Sequence, residues 1–175
     1  MPYTAHPGSE YNVIGSFNDF FATQITAKGL PGFMPSAVIN FDFPQSPLTF
    51  PSFNVTHLGA EAGIPTQGYH LDDGWRGIER IGLAEINVWE SYSRAAGAHW
   101  RNVRIMRDMA ARVFATGAAV AILDVYGTTG NPTGNGTILR AMPVTDSPLP
   151  NEPNPDIIRA RMICEYRWFE RATAG

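Results

Sequence analysis

Apolar residues along the chain fall into two kinds of repeat. From residue 10 to 28, Val13, Ile14, Phe17, Phe20, Phe21 and Ile25 recur at helical spacing, which predicts an amphipathic helix. Ser9 is placed to cap it, Glu10 suits the positive first turn, and Gly29 followed by Pro31 stops it. Three phenylalanines on the arc call for a broad partner, such as a sheet face. A second helix is predicted over 95–116. There Trp100, Val103, Met106, Met109, Ala110, Val113 and Phe114 cover one side, and Arg101, Arg104, Asp108 and Arg112 gather opposite. Arg107 falls on the flank of the apolar arc, Ile105 sits among the arginines, and Gly117 supplies the stop.

Period-two alternation marks the rest. Residues 37–43 read as a strand that Pro44, Pro47 and Pro51 interrupt, and 53–58 resume as a second. Strand patterns also cover 78–90, the apolar run 118–126, the segment 137–144 and, longest of all, 157–169. In the last, Ile158, Ala160, Met162, Cys164, Tyr166 and Trp168 alternate with Arg159, Arg161, Ile163, Glu165, Arg167 and Phe169, as in an antiparallel strand with one side on the core. Residues 59–76 carry five glycines or prolines that break any period, and are predicted as a long exposed loop, a class that tends to be functional. The Gly- and Asn-rich stretch 127–136 is predicted as a hairpin tip. Together these elements predict one α+β domain over 1–175: an antiparallel β-sheet with two main helices packed on one face, long loops, and an N-terminal arm at 1–8.

Composition narrows the function. With 44% hydrophobic and 17% charged residues the chain is folded and unusually low in charge. Its single cysteine, Cys164, excludes an internal disulfide framework. No apolar run reaches the roughly 20 residues that span a bilayer, and the first residues lack a signal peptide's basic and apolar regions, so the chain is expected to be made and kept in cytosol without a membrane. Thirteen Lys+Arg against sixteen Asp+Glu leave a net charge of −3, the wrong sign for gripping duplex DNA through its phosphates. Twelve of the thirteen cations are arginine, Lys28 being the exception, and arginine is favoured at protein interfaces.

Catalytic signatures are sparse. The histidines at 6, 57, 70 and 99 form no pair at metal-ligand spacing; His70-Leu71-Asp72-Asp73 is the nearest cluster and reads as a polar loop. Asp72, Asp73 and Glu61 offer carboxylates for acid–base work, again within that loop. Cys164, between Met162 and Tyr166 on an apolar face, reads as a buried, inert thiol. The glycines of 127–136 precede neither Gly-Lys-Ser/Thr nor a helix, which excludes a P-loop, and no Gly-x-Ser-x-Gly elbow is present. No catalytic, metal or cofactor site is expected.

The order of elements resembles the tail terminator, or tail completion, proteins of long-tailed bacteriophages. The resemblance is carried by the N-terminal helix with Phe17, Phe20 and Phe21, the strand 37–43, and Glu85-Ile-Asn-Val-Trp-Glu90 running into the amphipathic helix around 100–114. The hairpin 127–136 and closing strand 159–169 complete it. It spans nearly the whole chain and rests on order, not on a signature motif. It implies a non-enzymatic virion protein, assembled in the host cytoplasm, that forms a hexameric ring on the last ring of the tail tube. Such a ring ends tube polymerisation and receives the head-completion (stopper) protein, while genomic DNA passes through the lumen without sequence-specific binding. In that setting Ile105, Arg107, Arg159, Arg161, Ile163 and Arg167 are expected at the lateral interface. Glu61, Tyr69, Asp72, Asp73, Trp75, Asn131, Thr133 and Asn135 are expected on loops that dock the axial neighbours. Three alternatives stay open: another neck component, such as a head–tail connector or stopper; a tail-tube subunit, which the two amphipathic helices disfavour; and a small α+β enzyme or ligand-binding domain using His57, His70 and Asp72.

Overall fold

Helix α1 (Glu10–Ala27) in the computed structural model forms where the phenylalanine repeat places it. The structure describes residues 10–42, 49–62, 76–115, 118–123, 132–148 and 156–172. Val13, Phe17, Phe21 and Ile25 are fully buried. Gly29 ends the helical segment at φ +82°, a left-handed conformation that glycine enters without a Cβ penalty.

The chain continues through β1 (Ile39–Phe41), β2 (Ser52–Ala62), β3 (Arg76–Ser91), the short helix α2 (Tyr92–Ala95), α3 (His99–Phe114), β4 (Ala118–Leu123), β5 (Pro132–Pro148) and β6 (Ile157–Ala172). The six strands form one sheet in the order β1-β2-β3-β6-β5-β4. The fold is α+β, as its alternating helical and strand periods predict. The sheet is mixed and not purely antiparallel, because β1 runs parallel to β2, with Ile39 opposite Phe53 and Phe41 opposite Val55. A three-residue strand is only roughly 10 Å long, a distance that a ten-residue connection crosses easily. The prolines in that connection cannot donate to a ladder, which disfavours a tight antiparallel return.

Three further corrections concern where elements end. The segment 59–76, expected as loop, is entered by β2 as far as Ala62 and left by β3 from Arg76. Gly59, at φ +95°, sits where the β2–β3 register shifts between His57 and Ala60, so it marks a bulge within the strand and not its end. The segment 127–136, expected as a hairpin tip, is likewise entered by strand: β5 begins at Pro132, opposite Leu123 of β4, and includes Thr133 and Asn135. Pairing to a partner strand outweighs the turn propensity of Gly and Asn there. The second helix is split, because Ala96 and Gly97 adopt φ of 47° and 87° and separate α2 from α3. Ser91 caps α2 by accepting a bond from the Arg94 amide.

Helix α3 lies over β3, β6 and β5, while α1 lies against β4, touches β2 and packs on α3. The ladders explain how α1 meets an edge strand. β5 pairs with β6 only from Arg140 onward, and before that with β4 alone. Among the described residues, β6 beyond Arg167 pairs with β3 alone. The sheet thus divides at one end into two two-stranded ribbons, and Val120 and Ile122 of β4 are buried in the core. At its centre Phe17 stacks on Phe114 with centroids 5.1 Å apart and meets Tyr166 at the same distance. Tyr166 in turn stacks on Trp168. Gly82 is paired opposite Tyr166, and a Cβ there would collide with Cζ, Cε2 and Oη of the tyrosine ring. The ring lies flat across the strand because position 82 has no side chain.

Candidate functional site

Two polar clusters sit inside this frame. The first joins α1, β2 and β6. His57 Nε2 is 2.9 Å from Asn18 Oδ1, and its Nδ1 is 3.0 Å from Tyr166 Oη. An amide oxygen only accepts, so Nε2 carries the hydrogen and Nδ1 accepts from the tyrosine hydroxyl. Phe17 meets the imidazole edge-on at 5.5 Å. Burial pushes the His57 pKa down to about 4, against a smaller opposing effect from Asp42. Burial, then the charges of Glu10 and Cys164, raises the Tyr166 phenol well above its usual range. At neutral pH the cluster therefore holds a neutral imidazole and a neutral phenol, each ring nitrogen already engaged. It resists proton transfer and pins α1 to the sheet.

The second cluster surrounds Glu90, which is fully buried at the end of β3. Its carboxylate accepts from Arg94 Nη1 at 3.1 and 2.9 Å, from Asn102 Nδ2 at 2.9 Å and from the Ser91 amide at 3.0 Å. Arg94 also donates through Nη2 to the Phe33 carbonyl. The charge is compensated by geometry of the kind a buried ion pair requires. It ties the strand end, α2, α3 and the loop after α1 into one corner. Beside it, Phe33, Arg94, Arg101, Asn102 and Ile105 line an open cleft of about 600 Å³.

The residues expected at a lateral interface separate into two groups. Ile105 lines that cleft, and Arg107 is half-buried on the flank of α3 with partners of its own. Arg159, Arg161, Ile163 and Arg167 share the outer face of β6, half-buried and engaged within the sheet. The Arg159 guanidinium lies 4.9 Å over the Trp89 ring, Arg161 is 3.5 Å from Glu85, and Arg167 is 2.7 Å from Glu165. Of the expected axial residues, Glu61, Thr133 and Asn135 lie on the backbone of β2 and β5, whereas Tyr69, Asp72, Asp73, Trp75 and Asn131 lie outside the described residues, as does His70. Cys164 is buried, as its alternation predicts. Trp100, expected on the buried arc of α3, is half exposed at 52% and stands with Tyr92 and His99 in an aromatic corner, Tyr92 and His99 being 4.7 Å apart. It stands at the margin of the apolar arc, in the first turn of α3 just after Gly97.

Sequence reasoning missed both polar clusters. Asn18 and Tyr166 are 39 and 109 residues from His57, so no local spacing announces them. Glu90 left one trace: Asn102, which it accepts from, falls on the buried side of α3. Among the described residues no group of three or more His, Cys, Asp or Glu is arranged to hold a metal ion, and no helix is long and apolar enough to cross a membrane. The chain matches no protein-family model, and no curated protein is significantly similar to it in sequence.

Proposed function

We propose that this protein is a ring-forming structural subunit of a long-tailed phage virion, of the tail terminator kind. It caps the tail tube, ends tube growth and offers a surface to the head-completion or stopper protein, with genomic DNA passing through the lumen and no membrane involved. The observation that supports this reading is the mismatch between the sheet and its helical cover. β3, β5 and β6 are 16, 17 and 16 residues long, about 50 Å each at 3.3 Å per residue. α1 and α3, at 18 and 16 residues, are about 25 Å long. Among the residues whose burial is described, the buried inner face runs from Gly82 to Glu90 on β3 and from Ala160 to Trp168 on β6. Strands about twice as long as the helices beside them suit a subunit that must reach its neighbours. An exposed arginine-bearing helix face adds the polar, multi-donor surface that subunit contacts favour.

The rival reading, a small enzyme or ligand-binding domain, is favoured by the His57–Tyr166–Asn18 cluster alone. Its neutral groups and filled hydrogen-bonding positions suit a structural bolt better than an acid–base pair. Native mass spectrometry with negative-stain imaging of the purified protein tests the proposal. The expected result is a closed ring, six-fold for the terminator reading; another symmetry would favour a different neck component. A particle that stays monomeric at high concentration and turns over or binds a small molecule would overturn it.

A further inference from the structure

The cleft beside Glu90 presents hydrogen-bonding groups that the fold leaves unused. It holds about 600 Å³ between the start of α3, the end of α2 and the loop after α1. Among the described residues two arginines and no acid line it. Arg94 is fixed in place, because Nη1 serves both oxygens of Glu90 and Nη2 serves the Phe33 carbonyl. Its Nε–H and one Nη2–H stay without an acceptor among the described residues. Arg101 is exposed and has no partner among the described residues. The charges of Arg94 and Glu90 offset each other, so the wall carries the positive charge of Arg101.

An acceptor stands beside these donors. Asn102 is only 5% exposed and gives its Nδ2 to Glu90 at 2.9 Å. A carboxylate can only accept, so the amide nitrogen must face Glu90 and Oδ1 takes the other arm of the amide plane. That oxygen has no partner among the described residues, is not sealed from solvent, and belongs to a side chain that lines the cleft. α3 begins at the same place. Ala98 at its N-cap supplies no side-chain cap, and the amides of a helix's first turn have no acceptor within the helix. The partial positive charge of that end favours an anion. Phe33 and Ile105 add apolar surface.

We infer that this cleft binds the C-terminal residue of a partner polypeptide. Its carboxylate meets Arg101, the free N–H groups of Arg94 and the first amides of α3. Its own amide N–H donates to Asn102 Oδ1, and an apolar side chain lies against Phe33 and Ile105. The last residue of a polypeptide carries an anion, a donor and an apolar group in one unit, which an inorganic anion or a phosphodiester does not. Sites for small molecules enclose most of their ligand, whereas this cleft is open, as suits a chain end whose remainder stays in solvent. Capture of a terminal carboxylate by backbone amides is a recurrent mode of peptide recognition. The inference goes beyond the ring reading and does not depend on it.

The test titrates the isotope-labelled full chain with the peptide acetyl-Ala-Ala-Leu at low ionic strength and follows it by NMR. Saturable shifts are expected at the Asn102 side-chain amide and at the Arg94 and Arg101 Nε signals. The same peptide with its carboxylate amidated should bind about tenfold more weakly, the loss expected for a charge-assisted hydrogen bond. Methylation of the leucine nitrogen, which removes the donor for Asn102, should weaken binding several-fold. Arg101→Gln should show the tenfold loss at wild-type Tm, since that side chain is exposed. Arg112→Gln, in the last turn of α3, should bind as wild type does. No saturable shift, equal binding of the amidated peptide, or an undiminished affinity in Arg101→Gln would overturn the inference. Acetyl-leucine binding as tightly as the longer peptide would make the occupant a small acylamino acid and overturn the polypeptide assignment.

Discussion

The two faces of β6 differ by one residue of phase and by everything that follows from it. Inward, Ala160, Met162, Cys164, Tyr166 and Trp168 are all less than 5% exposed and packed under the helices. Outward, Arg159, Arg161, Ile163, Glu165 and Arg167 are half-buried and held by neighbours on the same sheet. The inner face is stabilised by the apolar area it removes from water, a term of about 25 cal/mol per Å². The outer face is held by pairs across and along the strands, worth about 1 kcal/mol or less each at such exposure. The lesson is that an arginine-rich strand face is not by itself an open interface, since cross-strand partners can occupy it before any other molecule arrives.

The comparison breaks most visibly at the centre of the inner layer. Phe114 is fully buried and stacks on Phe17 and Phe21. Phe114→Ala should cost about 3–5 kcal/mol, as large-to-small changes of buried aromatics do, and calorimetric or denaturant unfolding would measure it. A loss under 1 kcal/mol would mean that α3 is not seated on the sheet as described.

A mid-sized effect should come from the polar bolt between the layers. The folded His57 pKa of about 4 lies below the unfolded value of 6.5, so the unfolded chain binds the extra proton first as pH falls. Stability attributable to this group is therefore complete above pH 6.5 and is lost progressively down to pH 4. The loss is on the order of 3 kcal/mol, from 1.36 kcal/mol per pKa unit. His57→Gln should flatten the pH dependence of Tm in that window while lowering Tm at neutral pH. An unchanged profile would show that His57 titrates normally.

The smallest change belongs to the outer face. Arg161→Ala removes a 3.5 Å pairing with Glu85 between partly exposed groups, and should lower stability by less than about 1 kcal/mol. If it instead costs as much as Phe114→Ala, the contrast between the two faces is false.

Much of the architecture was legible in the chain. The phenylalanine spacing located α1 to within a residue at each end, and alternation assigned every inward residue of β6 from Ala160 to Trp168. What was not legible is non-local. The Gly59 bulge and the strand-paired Thr133 and Asn135 look like loop chemistry, because a residue's tolerance for turns says nothing about whether a partner strand lies beside it. Likewise His57 was visible as a lone histidine, but its union with Asn18 and Tyr166 required β2, α1 and β6 to meet.

Local periodicity by itself determined which segments are helix or strand and which side of each is apolar, because burial of one face imposes its repeat on consecutive residues. Tertiary structure alone decided that β1 runs parallel to β2, that the sheet divides before Arg140 of β5 and after Arg167 of β6, and that Gly82 must lack a side chain to lie beneath Tyr166. Those choices depend on contacts between residues far apart in the chain, and such contacts leave no period in the sequence.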